Sequence, residues 1–284
     1  MYMVMFWVFT FLQEKLLERL GYHKLLFGAI FMVGVKQKIK LFGDIKMKLI
    51  TVNTGSLGNS YVLESSNGQQ LCIEAGRPLQ EVKKVANLKT SKCVGVIISH
   101  SHGDHAKNAK DFLRAGIDAY STEELSEKCK GVKGMIKEQT YHLGAFSITP
   151  MKVEHDVPCF SFLIHHPEMG TMMFFTDCYN MENVVQGCRY FLAECNYDDS
   201  LLEKAVNEGK TIVSQADRIR LSHMSLSHSI EYLNECKAAN TAKRIVLIHG
   251  SARHLNPDVA VNKFQQVLGV PTDYACKGLV INLM

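Results

Sequence analysis

Residues 100–105 read HSHGDH and follow directly on the apolar run CVGVIIS (93–99). Neutral imidazole and carboxylate are natural ligands of zinc and similar divalent metals. One histidine at a strand end would mean little, whereas three with an aspartate suggest a shared cation. Further donors recur at the ends of apolar runs: His155 after MKVE, Asp177 after TMMFFT and His249 after RIVLI. A buried strand-end aspartate is costly unless something positive pairs with it. Four strands ending this way point to a common positive centre, and the donor set fits two ions. Held about 3.5–4 Å apart, two ions can share a bridging hydroxide and neutralise charge as a bond breaks. The loop can serve both ions because its alternating side chains point in different directions, and Gly103 is expected to supply the tight turn between them.

The elements that must position these residues follow from the hydrophobic rhythm. KLITVN (48–53) and SYVLES (60–65) flank the glycine-bearing turn GSLGN, and LCIEAG (71–76) is a third short strand before a helix at 78–86. CVGVIIS is a fourth strand, and Ala109, Phe112, Leu113 and Gly116 follow helical spacing. FSITPMKV, CFSFLIH, TMMFFTD, RYFLAE and RIVLIHG read as later strands, with a helix over 225–238. Early strands, a mixed middle and late strands predict two packed sheets with helices outside. No Pro/Gly/Ser-rich linker divides residues 47–284, which are read as one domain.

Residues 1–46 differ in character. Their first 12 residues are mostly apolar but lack a basic start, and LLFGAIFMVGV (25–35) is too short to span a bilayer comfortably. They are read as an upstream extension or misassigned start, because Met47 begins a natural first strand. The alternative is a membrane-surface anchor, with Lys36, Lys38, Lys40 and Lys46 near lipid headgroups. This segment also carries the whole charge excess of +4, holding 7 Lys/Arg and 3 Asp/Glu against 25 of each in the remainder. The main domain therefore has no global attraction for a polyanion, although a local basic patch stays open. Nine cysteines with no CxxC pair suit free thiols in a reducing cytoplasm, and Cys178 stands out because it follows Asp177.

HSHGDH matches the HxHxDH signature of the metallo-β-lactamase superfamily, and His155, Asp177 and His249 resemble its later ligand motifs in order. The resemblance covers about residues 47–284. It implies an α+β fold, an αββα sandwich of two mixed β-sheets flanked by helices, with metals at one edge. It also implies that His100, His102 and His155 hold one ion, that Asp104, His105 and His249 hold the other, and that Asp177 bridges them. Two divalent ions are expected, Zn²⁺ first, with Mn²⁺ or Fe²⁺ also compatible with such donors. One position departs from the family pattern: IEAG, with Glu74, stands where DAG is frequent. Glu74 either hydrogen-bonds the histidine loop or is a solvated turn residue.

GSLGNS (55–60), AECNYDDSLLEKA (193–205) and RLSHMSLSHSIEYL (220–233) resemble segments of the WalJ/YycJ-type bacterial hydrolases, which are regarded as DNA exonucleases. The last two also resemble, more weakly, parts of RNase Z. By that resemblance Glu194 and His223 assist phosphodiester cleavage, and with Asp104 they form the expected catalytic set. The departing oxygen needs a proton or a positive partner, and a histidine beside a carboxylate can supply either. His223 is also placed before a helix N-terminus, where free amides favour phosphate. Without the resemblance, His223 would read as a surface residue and Glu194 as a solvated strand end. Arg218 and Arg220 either approach a phosphate backbone or are surface charges. His142, His165, His166, His228 and His254 have no motif support as ligands.

The expected function is a two-metal-dependent phosphodiesterase or DNA exonuclease that uses a metal-bridging hydroxide on a nucleic-acid substrate. The alternatives are an ester, lactone or thioester hydrolase, favoured by the neutral domain, and a catalytically silent metal-binding protein. The domain lacks a long inserted clamp module, so a nuclease channel must come from loops or a second subunit of a homo-oligomer. A chain begun at Met47 is expected to be folded and as active as the full chain, as circular dichroism and a hydrolase assay would measure. Loss of activity, or of membrane association seen with the full chain, would give residues 1–46 a role.

Overall fold

Alternating side chains that are apolar on both faces let each central strand pack in two directions at once. In Tyr61-Val62-Leu63 the outer two residues join one core and Val62 joins another, and Tyr190 to Ala193 divide in the same way. The computed structural model describes residues 47–283, so the reading of residues 1–46 lies outside the described residues.

The first sheet begins with β1 (Met47–Asn53), β2 (Ser60–Glu64), β3 (Gln70–Ile73), β4 (Cys93–Ile97), β5 (Ala119–Ser121) and β6 (Val132–Gly134). The second contains β7 (Tyr141–Leu143), β8 (Phe146–Glu154), β9 (Cys159–His166), β10 (Gly170–Phe175), β11 (Asn180–Met181), β12 (Tyr190–Glu194), β13 (Arg244–Ile248) and β14 (Thr272–Tyr274). The final strand, β15 (Val280–Leu283), pairs with β1. The first sheet runs β15-β1-β2-β3-β4-β5-β6; the second runs β11-β8-β9-β10-β12-β13-β14, with β7 on β8. Both sheets mix parallel and antiparallel pairs.

The helices are α1 (Leu79–Ala86), α2 (Gly103–Ala106), α3 (Ala109–Arg114), α4 (Glu123–Lys128), α5 (Asp199–Asn207), α6 (Val213–Ser222), α7 (Leu226–Glu235), α8 (Ala238–Thr241) and α9 (Pro257–Leu268). A core between the sheets includes Leu63, Ile97, Phe162, Phe174 and Ile248. Val82 of α1 and Phe112 of α3 pack with Val62 and Val96 of the first sheet. Leu233 of α7 and Phe264 of α9 pack with Phe175, Phe191 and Leu247 of the second. These layers are the αββα sandwich expected, and the fold is α+β. Among the described residues, no helix is long and apolar enough to cross a membrane.

Topology explains where the chemistry collects. Strands β10, β12 and β13 are parallel neighbours, so their carboxyl ends lie along one edge. Asp177, Glu194 and His249 stand there because each ends or closely follows one of those strands. The histidine loop leaves β4, and the Phe160 N–H donates to the Ser99 carbonyl at 3.0 Å, joining the two sheets beside it. Ligand sites favour such carboxyl-end edges.

The long strands lie within a residue or two of the sequence reading, whereas the two- and three-residue strands, β15 and the helices α2, α4, α5, α6, α8 and α9 have no counterpart in it. Gly103 needs a different account from the one expected. Its φ is outside the left-handed region, and a Cβ there would meet nothing within 4 Å. The close approach occurs at Gly76, where a Cβ would lie 1.8 Å from the Asp104 carbonyl oxygen and 2.5 Å from the Asn59 nitrogen. Both obstacles are backbone and cannot swing aside. Gly76→Ala is therefore expected to cost about 3 kcal/mol and to displace the histidine loop. Urea unfolding and metal content would both register this; a normal value of each would show that the loop is free to move.

Candidate metal centre

The loop HSHGDH is held from behind by the ends of β2 and β3. The Asn59 N–H donates to the Asp104 carbonyl at 2.7 Å, and the Ala75 N–H donates to the His105 carbonyl at 2.8 Å. Glu74 is fully buried, accepts from the Ser99 N–H at 3.2 Å and has Oε2 3.4 Å from His105 Nδ1. The solvated-turn alternative for Glu74 is excluded, and its side chain supports the loop. Asn59 Nδ2 also lies 3.1 Å from His105 Nε2. Asn59 was not singled out in the sequence, although it sits within the quoted GSLGNS segment.

The structure brings the seven expected donors together in two overlapping groups. His100, His102, His155 and Asp177 offer ligand atoms within 4.8 Å of one another, as do Asp104, His105, Asp177 and His249. Asp177 belongs to both. Its Oδ2 lies 3.7 Å from His100 Nε2 and 3.4 Å from His105 Nε2, and its Oδ1 lies 3.3 Å from His249 Nδ1. Asp104 Oδ2 lies 3.4 Å from His105 Nε2 and 3.3 Å from His249 Nε2. On the other side, His155 Nε2 lies 3.3 Å from His102 Nδ1. Asp156, which the sequence reading passed over, has Oδ1 3.0 Å from His155 Nε2 and 3.5 Å from His102 Nε2.

Backbone geometry shows how firmly the centre is imposed. Glu74 (φ 68°), Asp177 (φ 48°) and His249 (φ 56°) all occupy the left-handed region, which non-glycine residues seldom enter. Each such residue costs about 1–3 kcal/mol, and strain of this kind concentrates at functional sites.

Glu194 and His223 form a third group with Asp177 and His249, whose ligand atoms also lie within 4.8 Å of one another. Glu194 is fully buried; its Oε1 is 2.6 Å from His223 Nδ1 and 3.5 Å from His249 Nδ1. Its Oε2 accepts from the Cys178 and Met224 N–H groups at 3.0 and 3.3 Å. His223 stacks on His249 with ring centroids 5.3 Å apart. Asn196 Nδ2 donates to the His249 carbonyl at 2.7 Å, another support absent from the sequence reading.

At the helix N-terminus expected beside His223, two of the first-turn amides are already engaged. Ser225 caps α7 by accepting from the His228 N–H, and the Leu226 N–H donates to the Tyr197 carbonyl. The wall opposite the donors is instead α6, whose Gln215, Arg218, Ile219 and Ser222 help line a hollow of about 270 Å³ with His223. Arg220 pairs with Asp217 at 3.1 Å. His254, His142, His165 and His166 make local hydrogen bonds to Thr211, Ser147, Thr171 and the Glu168 N–H, and His228 is on α7. All nine cysteines are free. Burial pushes the Cys178 thiol well above its ordinary range, and the residue's contribution here is its N–H to Glu194.

The two halves of the centre differ electrostatically. Burial, reinforced by His105, holds His100 well below the ordinary imidazole range, and burial also lowers His155. Both are therefore poised as neutral ligands. His100 Nε2 and His155 Nδ1 are buried without a hydrogen-bond partner among the described residues. On the other side, burial opposes charge on Asp177, but His249 and His105 outweigh it and hold the carboxyl well below its usual range. Burial likewise opposes protonation of His249, yet Asp177, Asp104 and Glu194 raise it to about 10. An orphaned imidazole nitrogen and carboxylates facing imidazoles at 3.3–3.7 Å fit divalent metal ions.

The fold is that of the metallo-β-lactamase-like proteins, and the family model of the metallo-β-lactamase superfamily matches residues 53–157, the stretch that carries the histidine loop and His155. Among curated relatives, a UPF0173 metal-dependent hydrolase of Deinococcus radiodurans is 33% identical over 105 residues, which span 34% of this chain and 46% of that protein. The exodeoxyribonuclease YycJ of Bacillus anthracis is 21% identical over 222 residues, covering 63% of this chain and 83% of that protein. The metallo-β-lactamase fold protein YhfI of Bacillus subtilis superposes with a TM-score of 0.66 at 19% identity, over 83% of this chain and 99% of that one. Human short-form tRNase Z gives a TM-score of 0.59 at 17% identity, over 84% and 100%. The structural likenesses bear on the fold.

Because His249 is raised above its unfolded value, its stabilising contribution to the metal-free chain is complete below pH about 6.5 and is lost as pH rises through about 10. Metal competes for the same nitrogens. Metal uptake is therefore expected to release protons, with affinity rising as pH rises from about 6 to about 9. Calorimetric titration in two buffers of different ionisation enthalpy measures the release; an affinity independent of pH would place the metal elsewhere.

Proposed function

We propose that this chain is a two-metal-dependent phosphodiesterase of the DNA exonuclease kind. The observation that carries the reading is His223, which lines the same hollow as the metal donors and lies 2.6 Å from the buried Glu194 carboxylate. His100, His102 and His155 would hold one ion, Asp104, His105 and His249 the other, with Asp177 shared. Two divalent ions at such a centre supply water activation and charge neutralisation; the imidazole-rich set suits Zn²⁺ and also admits Mn²⁺ or Fe²⁺.

The chain's own groups account for the leaving side. Glu194 engages His223 Nδ1, which leaves Nε2 as the ring nitrogen for a bound substrate. A protonated Nε2 can pass its proton to the departing sugar oxygen, the task that an alkoxide leaving group requires. Glu194 is itself fixed by two backbone N–H groups, so the imidazole is held in one orientation. Asp104 places a carboxylate oxygen between His105 and His249, 3.4 and 3.3 Å from their Nε2 atoms. The YycJ likeness agrees with a nucleic-acid substrate.

His223→Ala is expected to lower turnover on DNA or RNA by about 10²–10⁴-fold while metal content stays unchanged. Asp177→Ala should lose metal and activity together. A nitrophenyl ester, whose leaving group needs no proton, should be spared in His223→Ala far more than a natural strand. Metal loss in His223→Ala would make His223 a ligand and displace His249 from that role. A wild type that cleaves lactones or thioesters and no phosphodiester would leave only a metal-dependent hydrolase.

A further inference from the structure

The hollow at the metal centre opens past His155 and Asp156 into a trough of about 520 Å³, within the range of small-molecule sites. Tyr179 lines one side; Ser214, Asp217, Arg218 and Leu221 of α6 line the other, with the Asp217 carboxylate already taken up by Arg220. Arg218 borders both spaces. Among the described residues it forms no ion pair, whereas its neighbour Arg220 is held by Asp217. An unpaired guanidinium presents a planar fork of donors that matches phosphate oxygens.

Tyr179 follows the shared aspartate by two residues, and both ends of it are tethered. Its hydroxyl bonds the Glu154 carboxylate, and its N–H donates to the Glu154 carbonyl at 3.3 Å. A ring already fixed in place is suited to stack on a nucleobase with little further loss of freedom. Leu221, 63% exposed on the rim, adds apolar surface across from it.

Beyond Tyr179 the character changes. The next hollow is lined by Glu123, Glu124 and Glu154 with Lys137 and Lys152; Lys152 is engaged by Glu182 at 2.7 Å, and Glu124 by Lys128 of α4. Asp156 borders this space as well. A second phosphate would meet like charge there.

We propose that the trough is a one-nucleotide subsite. Arg218 binds the phosphate next to the scissile one, Tyr179 stacks on the base between them, and the acidic hollow ends the strand at that point. The proposal rests on the phosphodiesterase reading and makes it specific: the substrate is a strand end bearing a terminal phosphate, and the product is a mononucleotide.

The test uses the metal-loaded full chain with single-stranded oligonucleotides that have or lack a terminal phosphate at each end, and a circular strand. Wild type is expected to release mononucleotides, to leave the circle intact, and to show a KM about tenfold lower for the phosphorylated end. Arg218→Gln should abolish that preference by raising KM for the phosphorylated end to that of the unphosphorylated one, with metal content unchanged. Tyr179→Ala should raise KM by roughly 5- to 150-fold, yet have no effect on a strand abasic at the trimmed end. Tyr179→Phe, which keeps the ring but removes its hydroxyl tether to Glu154, should raise KM by less than Tyr179→Ala. Internal cutting of the circle, or an Arg218→Gln enzyme that keeps the full terminal-phosphate preference, overturns the subsite while leaving the phosphodiesterase reading intact. A wild type inert on every phosphodiester overturns that reading itself, and the subsite with it.

Discussion

Burying several carboxylates at one edge of a sandwich is the constraint on which the rest of this molecule depends. Asp177, Glu194 and Glu74 are at most 3% exposed, and none would remain charged there without positive or hydrogen-bonding partners. Each has a distinct answer. Asp177 has imidazoles from both halves of the centre around it. Glu194 has His223, His249 and two backbone N–H groups. Glu74 has His105 and the Ser99 N–H. The histidine loop, the parallel strand order and the turn that carries Asn59 all serve to bring these partners within reach.

Much of this was legible in the sequence because donors at strand ends keep their spacing visible. The seven donors are polar residues interrupting apolar runs, and such runs are easily read. Asn59 was harder, since an asparagine between two turns reads as ordinary turn chemistry. Gly76 and Gly103 show the limit more sharply. Both are glycines beside donors, and only the fold reveals that Gly76 meets the Asp104 backbone while Gly103 meets open space. Contacts between segments distant in sequence leave no local period.

Helix α6 was illegible for a different reason. Of its ten residues, VSQADRIRLS, only Ala216 and Ser222 are buried, so no apolar stripe announces it. It rests on a small cluster with Tyr197 and Leu202, separate from the main cores. Yet this marginal helix supplies the wall opposite the donors and leads directly to His223. The deep layers position the centre, and a lightly held surface hairpin of α5 and α6 shapes the space beside it.

The left-handed backbone at Asp177 and His249 has an evolutionary consequence. Glycine enters that region with less strain than aspartate or histidine in most contexts. Drift that rewards folding alone therefore has an easy path at these two positions, and following it erases the very donors that converge there. Proteins of this build would be expected to decay by becoming tougher and inert. Keeping Asp177 and His249 requires continuing selection for what their side chains do, since their mutual pairing stabilises the metal-free chain only within a limited pH window.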